Sequence, residues 1–234
     1  MSTLGEALRG ALGLLASGDA TLGGIVALSL AVSLSAVFLA TLVGLPLGAA
    51  IAVGRFPGRR ALIVLLNALM GLPPVVVGLM VYLLLSRAGP LGELGLLFTP
   101  PAMVLAQTLL VLPIIAALCR QSVEDALVEY EEQLRSLGAQ GWRAALTLVW
   151  DIRFSLVTAV LAGLGRALAE VGAVIIVGGN IDGVTRVMTT AIALETSKGD
   201  LALALSLGFV LVALVIALNA GAHLIKEAAQ RRYG

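Results

Sequence analysis

Two charged residues stand inside an otherwise apolar stretch: Arg166 and Glu170, within residues 154–178. A spacing of four places both side chains on one helix face, where they can pair. In an apolar setting such a pair can do two kinds of work. It can lock helices together, or it can present the planar donor fork of an arginine to an oxyanion. In the second reading Glu170 holds Arg166 beside the anion's route. Each charge costs roughly 2.5–3.5 kcal/mol at a bilayer centre. The twelve Val, Leu, Ile and Phe residues between 154 and 177 return about 0.3–0.6 kcal/mol each. The segment nearly breaks even, so it should face protein or water rather than lipid.

Further polar groups lie close by in sequence. Residues 179–200 gather Asn180, Asp182-Gly183, Thr185, Arg186, Thr189 and Thr190. Asp-Gly marks a turn, and 184–195 reads as a short helix with Val184, Val187, Met188 and Ala191 on one side. The threonines could line a route, cap a dimer or meet an outer partner. Pro73-Pro74 sits near the middle of another apolar run, 61–86. Tandem proline removes two backbone donors and breaks a helix. At that depth freed carbonyls are tolerated only against protein or a wet cavity. The pathway or gate candidates are therefore Pro73, Pro74, Arg166, Glu170, Asn180, Thr185, Thr189 and Thr190.

The other charged feature is an island from Arg120 to Arg153, which holds ten charged residues between long apolar runs. Its pattern is helix, break, helix. Tyr130, Leu134 and Leu137 share one face. Gly138 interrupts, as glycine does where a helix ends in a left-handed turn. Trp142, Ala145, Leu146 and Val149 share a face of the next segment. Two short helices meeting at a glycine make a compact knob: either a solvated hairpin or a surface for a soluble partner.

The elements that carry these residues are membrane spans. The chain has 234 residues, 59% apolar and 12% charged, about half the charge of a soluble domain. Five stretches, near 22–54, 61–86, 102–119, 154–178 and 201–225, approach or exceed the roughly 20 residues needed to cross hydrocarbon. They do not alternate as barrel strands would. The expected class is an all-α polytopic membrane protein with about five transmembrane helices. Gly44 and Gly48 form a G-x-x-x-G pair that would allow close helix contact. Residues 1–20 read as an interfacial segment, 21–225 as the transmembrane domain with the charged loop at 120–153, and 226–234 as a tail.

Orientation follows from the positive-inside rule. With the N-terminus outside, the inner segments hold Arg55, Arg59, Arg60, Arg120, Arg135, Arg143, Arg153, Lys226, Arg231 and Arg232. The outer ones hold Arg9, Arg87, Arg186 and Lys198. The island and the C-terminus are then cytoplasmic. Cys119 is alone, so no internal disulfide forms. His223 has no partner ligands that suggest a metal. No Ser/His/Asp set, paired aspartates or His-Glu-x-x-His lies in the spans, so no catalytic residue is assigned. The net charge of +1 gives no sign of nucleic acid.

The run Glu132-Gln133-Leu134-Arg135-Ser136-Leu137-Gly138-Ala139 resembles the EAA loop of ABC importer permeases, with Glu132 and Gly138 at matching positions. Gln133 and Leu134 replace its two alanines, and Trp150-Asp151 stands where Leu-Pro is expected. Phe56-Pro57-Gly58 followed by Leu72-Pro73-Pro74-Val75-Val76-Val77-Gly78 resembles molybdate permeases, as does the run from Gly165 to Ala173. Val177-Gly178-Gly179-Asn180-Ile181 and the run from Thr185 to Gly199 are most similar to tungstate permeases. The resemblance implies a type I ABC importer permease fold with a cytoplasmic coupling helix, in a prokaryotic cytoplasmic (inner) membrane. It implies a homodimer in membrane lipid, an ABC ATPase subunit under each protomer, and a periplasmic or extracellular oxyanion-binding protein outside. The ATPase-coupling residues would be Glu131, Glu132, Arg135, Leu137, Gly138, Ala139 and Trp142. The transported solute would be tungstate or molybdate.

No cofactor is expected on this chain; ATP and magnesium would sit on the partner. Independently, the two lysines, Lys198 and Lys226, lack the glycine spacing of a P-loop. Energy must come from a partner or from an ion gradient. The alternative to an ATP-driven importer is an ion-coupled secondary carrier with Glu170 as its proton site.

Overall fold

Apolar runs longer than a bilayer is thick have one way to satisfy their backbone in hydrocarbon without a closed barrel, which is to coil into helices. The computed structural model describes residues 3–17, 20–136, 138 and 141–233, without the side chains of Thr3, Leu4, Leu14, Leu15, Ser17, Glu131, Arg135, Trp142 and Tyr233. Its regular elements are helices: α1 (Thr3–Ser17), α2 (Ala20–Val53), α3 (Arg59–Met70), α4 (Pro74–Leu85), α5 (Pro100–Ser136), α6 (Trp142–Asp151), α7 (Arg153–Leu168), α8 (Gly172–Gly178), α9 (Met188–Lys198) and α10 (Leu201–Tyr233). Among the described residues, α2, α5 and α10 are long and apolar enough to cross a membrane. Two bent pairs, α3–α4 (99°) and α6–α7 (77°), bring the candidate crossings to as many as five if each pair is one span.

The first bend is set by Pro73-Pro74. α3 closes at Gly71, and the amides of Val76 and Val77 both return to the Pro73 carbonyl, at 3.0 and 3.2 Å, to start α4 in a new direction. The Gly44/Gly48 pair is used inside the chain. A Cβ at Gly48 would lie 2.4 Å from the Ala116 carbonyl oxygen, and one at Gly44 3.2 Å from Ile115. Glycine there lets α2 press against α5, which also packs on α3, α7 and α8 and so occupies the middle of the fold. α1 lies on α10 through buried Ala7 and Ala11, with Leu8 and Leu12 exposed. Ser206 donates a 2.9 Å hydrogen bond to the Ala7 carbonyl.

Three features of the helix boundaries differ from the sequence expectations. The third span does not end near residue 119: α5 continues unbroken to Ser136, past Pro113, and carries half of the charged island with it. Its 37 residues measure about 55 Å at 1.5 Å per residue, well beyond the bilayer core. The run 154–178 is not one helix: α7 stops at Leu168 and α8 starts at Gly172. The outer helix starts at Met188, not at 184. Upstream, Thr185 accepts from the Ile181 amide at 2.9 Å and donates to the Gly178 carbonyl at 2.5 Å, which holds a turn. Val184 is left exposed.

Candidate functional site: a broken-helix junction and a charged elbow

Side chains from α5, from α9 and from the break itself bond to the backbone where α7 gives way to α8. Gln107 of α5 donates to the Ala167 carbonyl at 3.0 Å. Thr189 of α9 donates to the Glu170 carbonyl at 2.8 Å. Glu170 itself accepts from the Ala173 amide at 2.9 Å through Oε1, while its Oε2 holds Arg166 at 2.6 Å. The Glu170 side chain is 3% exposed and that of Arg166 31%. The carboxylate is therefore a structural hub. The guanidinium has further donors and a path to the surface.

The other break abuts this one. A Cβ at Gly172 would lie 3.1 Å from the Val75 side chain, and one at Gly78 only 2.8 Å from the Ala173 Cα. Pro73-Pro74, Arg166, Glu170 and Thr189 thus belong to one junction, where two interrupted helices touch. Interrupted helices are where membrane transporters expose backbone and polar groups to solutes.

Thr185, Thr190 and Asn180 are not part of that contact. Thr185 is buried in its own turn. Thr190 closes the start of α9, accepting from the Val187 amide at 3.0 Å. Asn180 follows the α8 terminus in a left-handed conformation, φ 51°. Gln107 and Ser29 were not singled out from sequence. Ser29 of α2 accepts from the Met188 amide at 2.8 Å and anchors α9. The available signal was a lone polar residue inside an apolar span, which needs a partner there.

The charged island folds into an elbow at the far end of α5. Leu134 is buried with Ala144 and Leu148 of α6, in a cluster that reaches Ala52, Cys119 and Val123. The buried face of α6 is Ala144, Ala145 and Leu148, and Leu146 is exposed rather than part of it. Gly138, φ 68°, lies between the helices in the conformation that favours glycine. Glu132 is exposed on the last turn of α5, while Leu137 and Ala139 lie outside the described residues. Glu131 and Arg135 fall on α5, and Trp142 opens α6.

The elbow is braced where α5 leaves the apolar core. Arg59 and Arg120 both bind Glu124. Arg59 also donates to the Ile51 and Ala52 carbonyls at the end of α2, at 2.8 and 3.1 Å. One carboxylate thereby ties α5 to the α2–α3 corner.

Residues 44–234 match the family model described as the binding-protein-dependent transport system inner membrane component. A probable anion ABC transporter permease protein of Haloferax volcanii is 43% identical over 84% of this chain and 87% of its own. The tungstate uptake system permease protein TupB of Peptoclostridium acidaminophilum is 40% identical over 97% of this chain and all of its own (100%). The protein of the same name from Campylobacter jejuni is 39% identical, covering 74% and 72%. A multi-pass helical architecture, an elbow on a continuous central helix and a match over most of the length agree: the chain belongs to the family of binding-protein-dependent transport system inner membrane components.

Proposed function

We propose that this chain is the permease subunit of an ATP-driven importer for a tetrahedral oxyanion, tungstate in the first place and molybdate in the second. Its relatives are permeases of tungstate uptake and of an anion ABC transporter. In the proposed assembly two copies face one another across the pathway. An ATPase subunit sits beneath each elbow, and a binding protein delivers the anion from outside. The N-terminus is outside and the C-terminus cytoplasmic.

The observation that carries the mechanism is the unbroken path of α5. It runs from Gln107 at the junction to Leu134 in the elbow, about 40 Å at 1.5 Å per residue. A helix of that length transmits displacement without needing a chain of flexible contacts. Closure of the ATPase dimer moves the elbow. α5 carries that motion to the α7–α8 break, and Arg166 is shifted relative to its counterpart in the second copy. An arginine still tethered by Glu170 gives the anion a passing contact rather than a lasting grip, so release stays fast.

The ion-gradient reading is not retained. The relatives belong to uptake systems and an ABC transporter. Glu170 also has both carboxylate oxygens engaged, which suits a fixed hub better than a proton carrier. Purification of the native complex tests the proposal. An ATPase subunit and a tungstate-binding protein should co-purify with the chain, and calorimetry on the binding protein should rank tungstate against molybdate. Isolation of the chain with neither partner would contradict it.

A further inference from the structure

A large cleft opens beside the elbow, with a volume of about 1160 Å³. It lies between the α2–α3 corner, the end of α5 and the start of α6, where Gly141 and Ala144 line it. Arg55, Arg59 and Arg60 line it, together with apolar Val53, Phe56 and Val128. No Asp or Glu is among the described residues of its wall. Arg59 is committed to Glu124 and to the end of α2. Arg55 and Arg60 make no ion pair with any described residue.

The helix start in this cleft carries the wrong charge. α3 begins Arg59-Arg60, its N-cap Gly58 supplies no side-chain bond, and its first turn has no acidic residue. Free amides and the positive end of the helix dipole favour an anion at that position. Glu124 compensates Arg59, whereas Arg60 at the helix start is locally unfavourable, and an anion from outside the chain would complete the site.

The walls decide what kind of anion. Val128 is 82% exposed and Phe56 is exposed too. Val64, outside the cleft wall and four residues after Arg60 on α3, is 68% exposed. Residues four apart lie on one helix face, so a guanidinium and a bare apolar side chain sit next to one another. A free oxyanion has no use for the apolar part, but an amphiphile does. The cleft also starts where the 34-residue apolar helix α2 ends. Basic clusters that follow a membrane-crossing helix meet anionic lipid headgroups.

We propose that this cleft binds the phosphate headgroup of an anionic phospholipid, held by Arg55 and Arg60, with an acyl chain lying along Val64 of α3. The inference does not depend on which solute is carried. It uses the proposed orientation only to assign the lipid to the cytoplasmic leaflet.

The test is a thermal-unfolding titration of the delipidated full chain in neutral detergent. Dioleoylphosphatidylglycerol should raise the melting temperature saturably, and dioleoylphosphatidylcholine should not. R55Q/R60Q should weaken the phosphatidylglycerol response roughly thirty-fold in apparent affinity, as expected for about 1 kcal/mol per arginine near a lipid surface. Arg87→Gln, at an exposed site outside the cleft, should leave it unchanged. V64E puts a like charge beside the acyl path and gives an independent loss should the double variant fold poorly. An equal response in wild type and both cleft variants would overturn the site. Full reproduction of the effect by inorganic phosphate or tungstate would overturn the lipid assignment in favour of a free oxyanion. Displacement of the lipid by the ATPase subunit, with R55Q/R60Q weakening that subunit's binding, would make the cleft a protein-docking surface and overturn the proposal as well.

Discussion

Gln107, near the start of α5, donates a 3.0 Å hydrogen bond to the carbonyl oxygen of Ala167, at the end of α7. One end of the central helix is thereby attached to the break beside the intramembrane ion pair. Its other end is the elbow. Replacing Gln107 with Leu removes one donor from the Ala167 carbonyl, which keeps the Glu170 amide at 3.2 Å, so the loss is that of one hydrogen bond, about 0.5–1.5 kcal/mol. The unfolding midpoint of the purified variant should fall accordingly, and transport should fall further than the amount of folded protein does. Wild-type stability and uptake in Gln107→Leu would show that the bond does not join the two regions.

Glu170 serves Arg166 and the Ala173 amide at once. Glu170→Ala should therefore cost more than a surface ion pair. Breaking a buried pair costs 3–5 kcal/mol, and the partial exposure of Arg166 (31%) argues for the lower end, about 3 kcal/mol. The double variant R166A/E170A should recover part of the loss, because it leaves no unpaired guanidinium. Melting curves of the two singles and the double give the coupling directly. Additive losses would remove the pair from the account.

Small residues set how closely the helices approach. Gly48→Val places atoms against the Ala116 carbonyl, and Gly78→Ala places a methyl 2.8 Å from the Ala173 Cα. Overpacking of this kind costs about 1–3 kcal/mol. Gly165, with nothing within 4 Å of its Cβ position, is the contrasting site. Gly165→Ala should be neutral or stabilising by up to about 1 kcal/mol, because alanine is the better helix former. Detergent melting of the three variants should give that order.

The elbow variants probe coupling rather than stability. Gly138 has φ 68°, which proline cannot adopt. Gly138→Pro and Glu132→Ala should both insert in the membrane and assemble, yet reduce ATP-driven tungstate uptake by the reconstituted complex about ten-fold or more, as a misplacement far from the site it serves can. Unchanged uptake in both would disconnect the elbow from the energy source.

Much of this was legible in the chain itself, because apolar run length and charge spacing are local quantities. The crossings near 22–54 and 201–225 correspond to α2 and α10, and Pro73-Pro74 marks a bend because proline cannot donate. The Arg166–Glu170 pair was legible from its spacing of four, although Glu170 stands just beyond the end of α7 rather than on it. The continuity of α5 was hidden, since hydropathy drops at Arg120 while the backbone does not change. The break at 169–171 carries no proline. It depends on bonds from Gln107 and Thr189, sixty and nineteen residues away, which no local pattern encodes. The same holds for Arg59 and Glu124, sixty-five apart. The start of α9 was misplaced by four residues because Ser29 and Thr190, not the apolar pattern of 184–195, decide it.

The central claim is that the elbow is driven by nucleotide turnover in a neighbouring subunit. A cysteine at position 132, with the lone Cys119 changed to Ser, allows site-directed cross-linking in membranes that hold the assembled complex. The account predicts a cross-link from residue 132 to the ATPase subunit whose yield changes between nucleotide-free and ATP-bound states, and no labelling of that cysteine by impermeant reagents from outside. Labelling from outside, or no adduct with an ATP-hydrolysing subunit in either state, would contradict it.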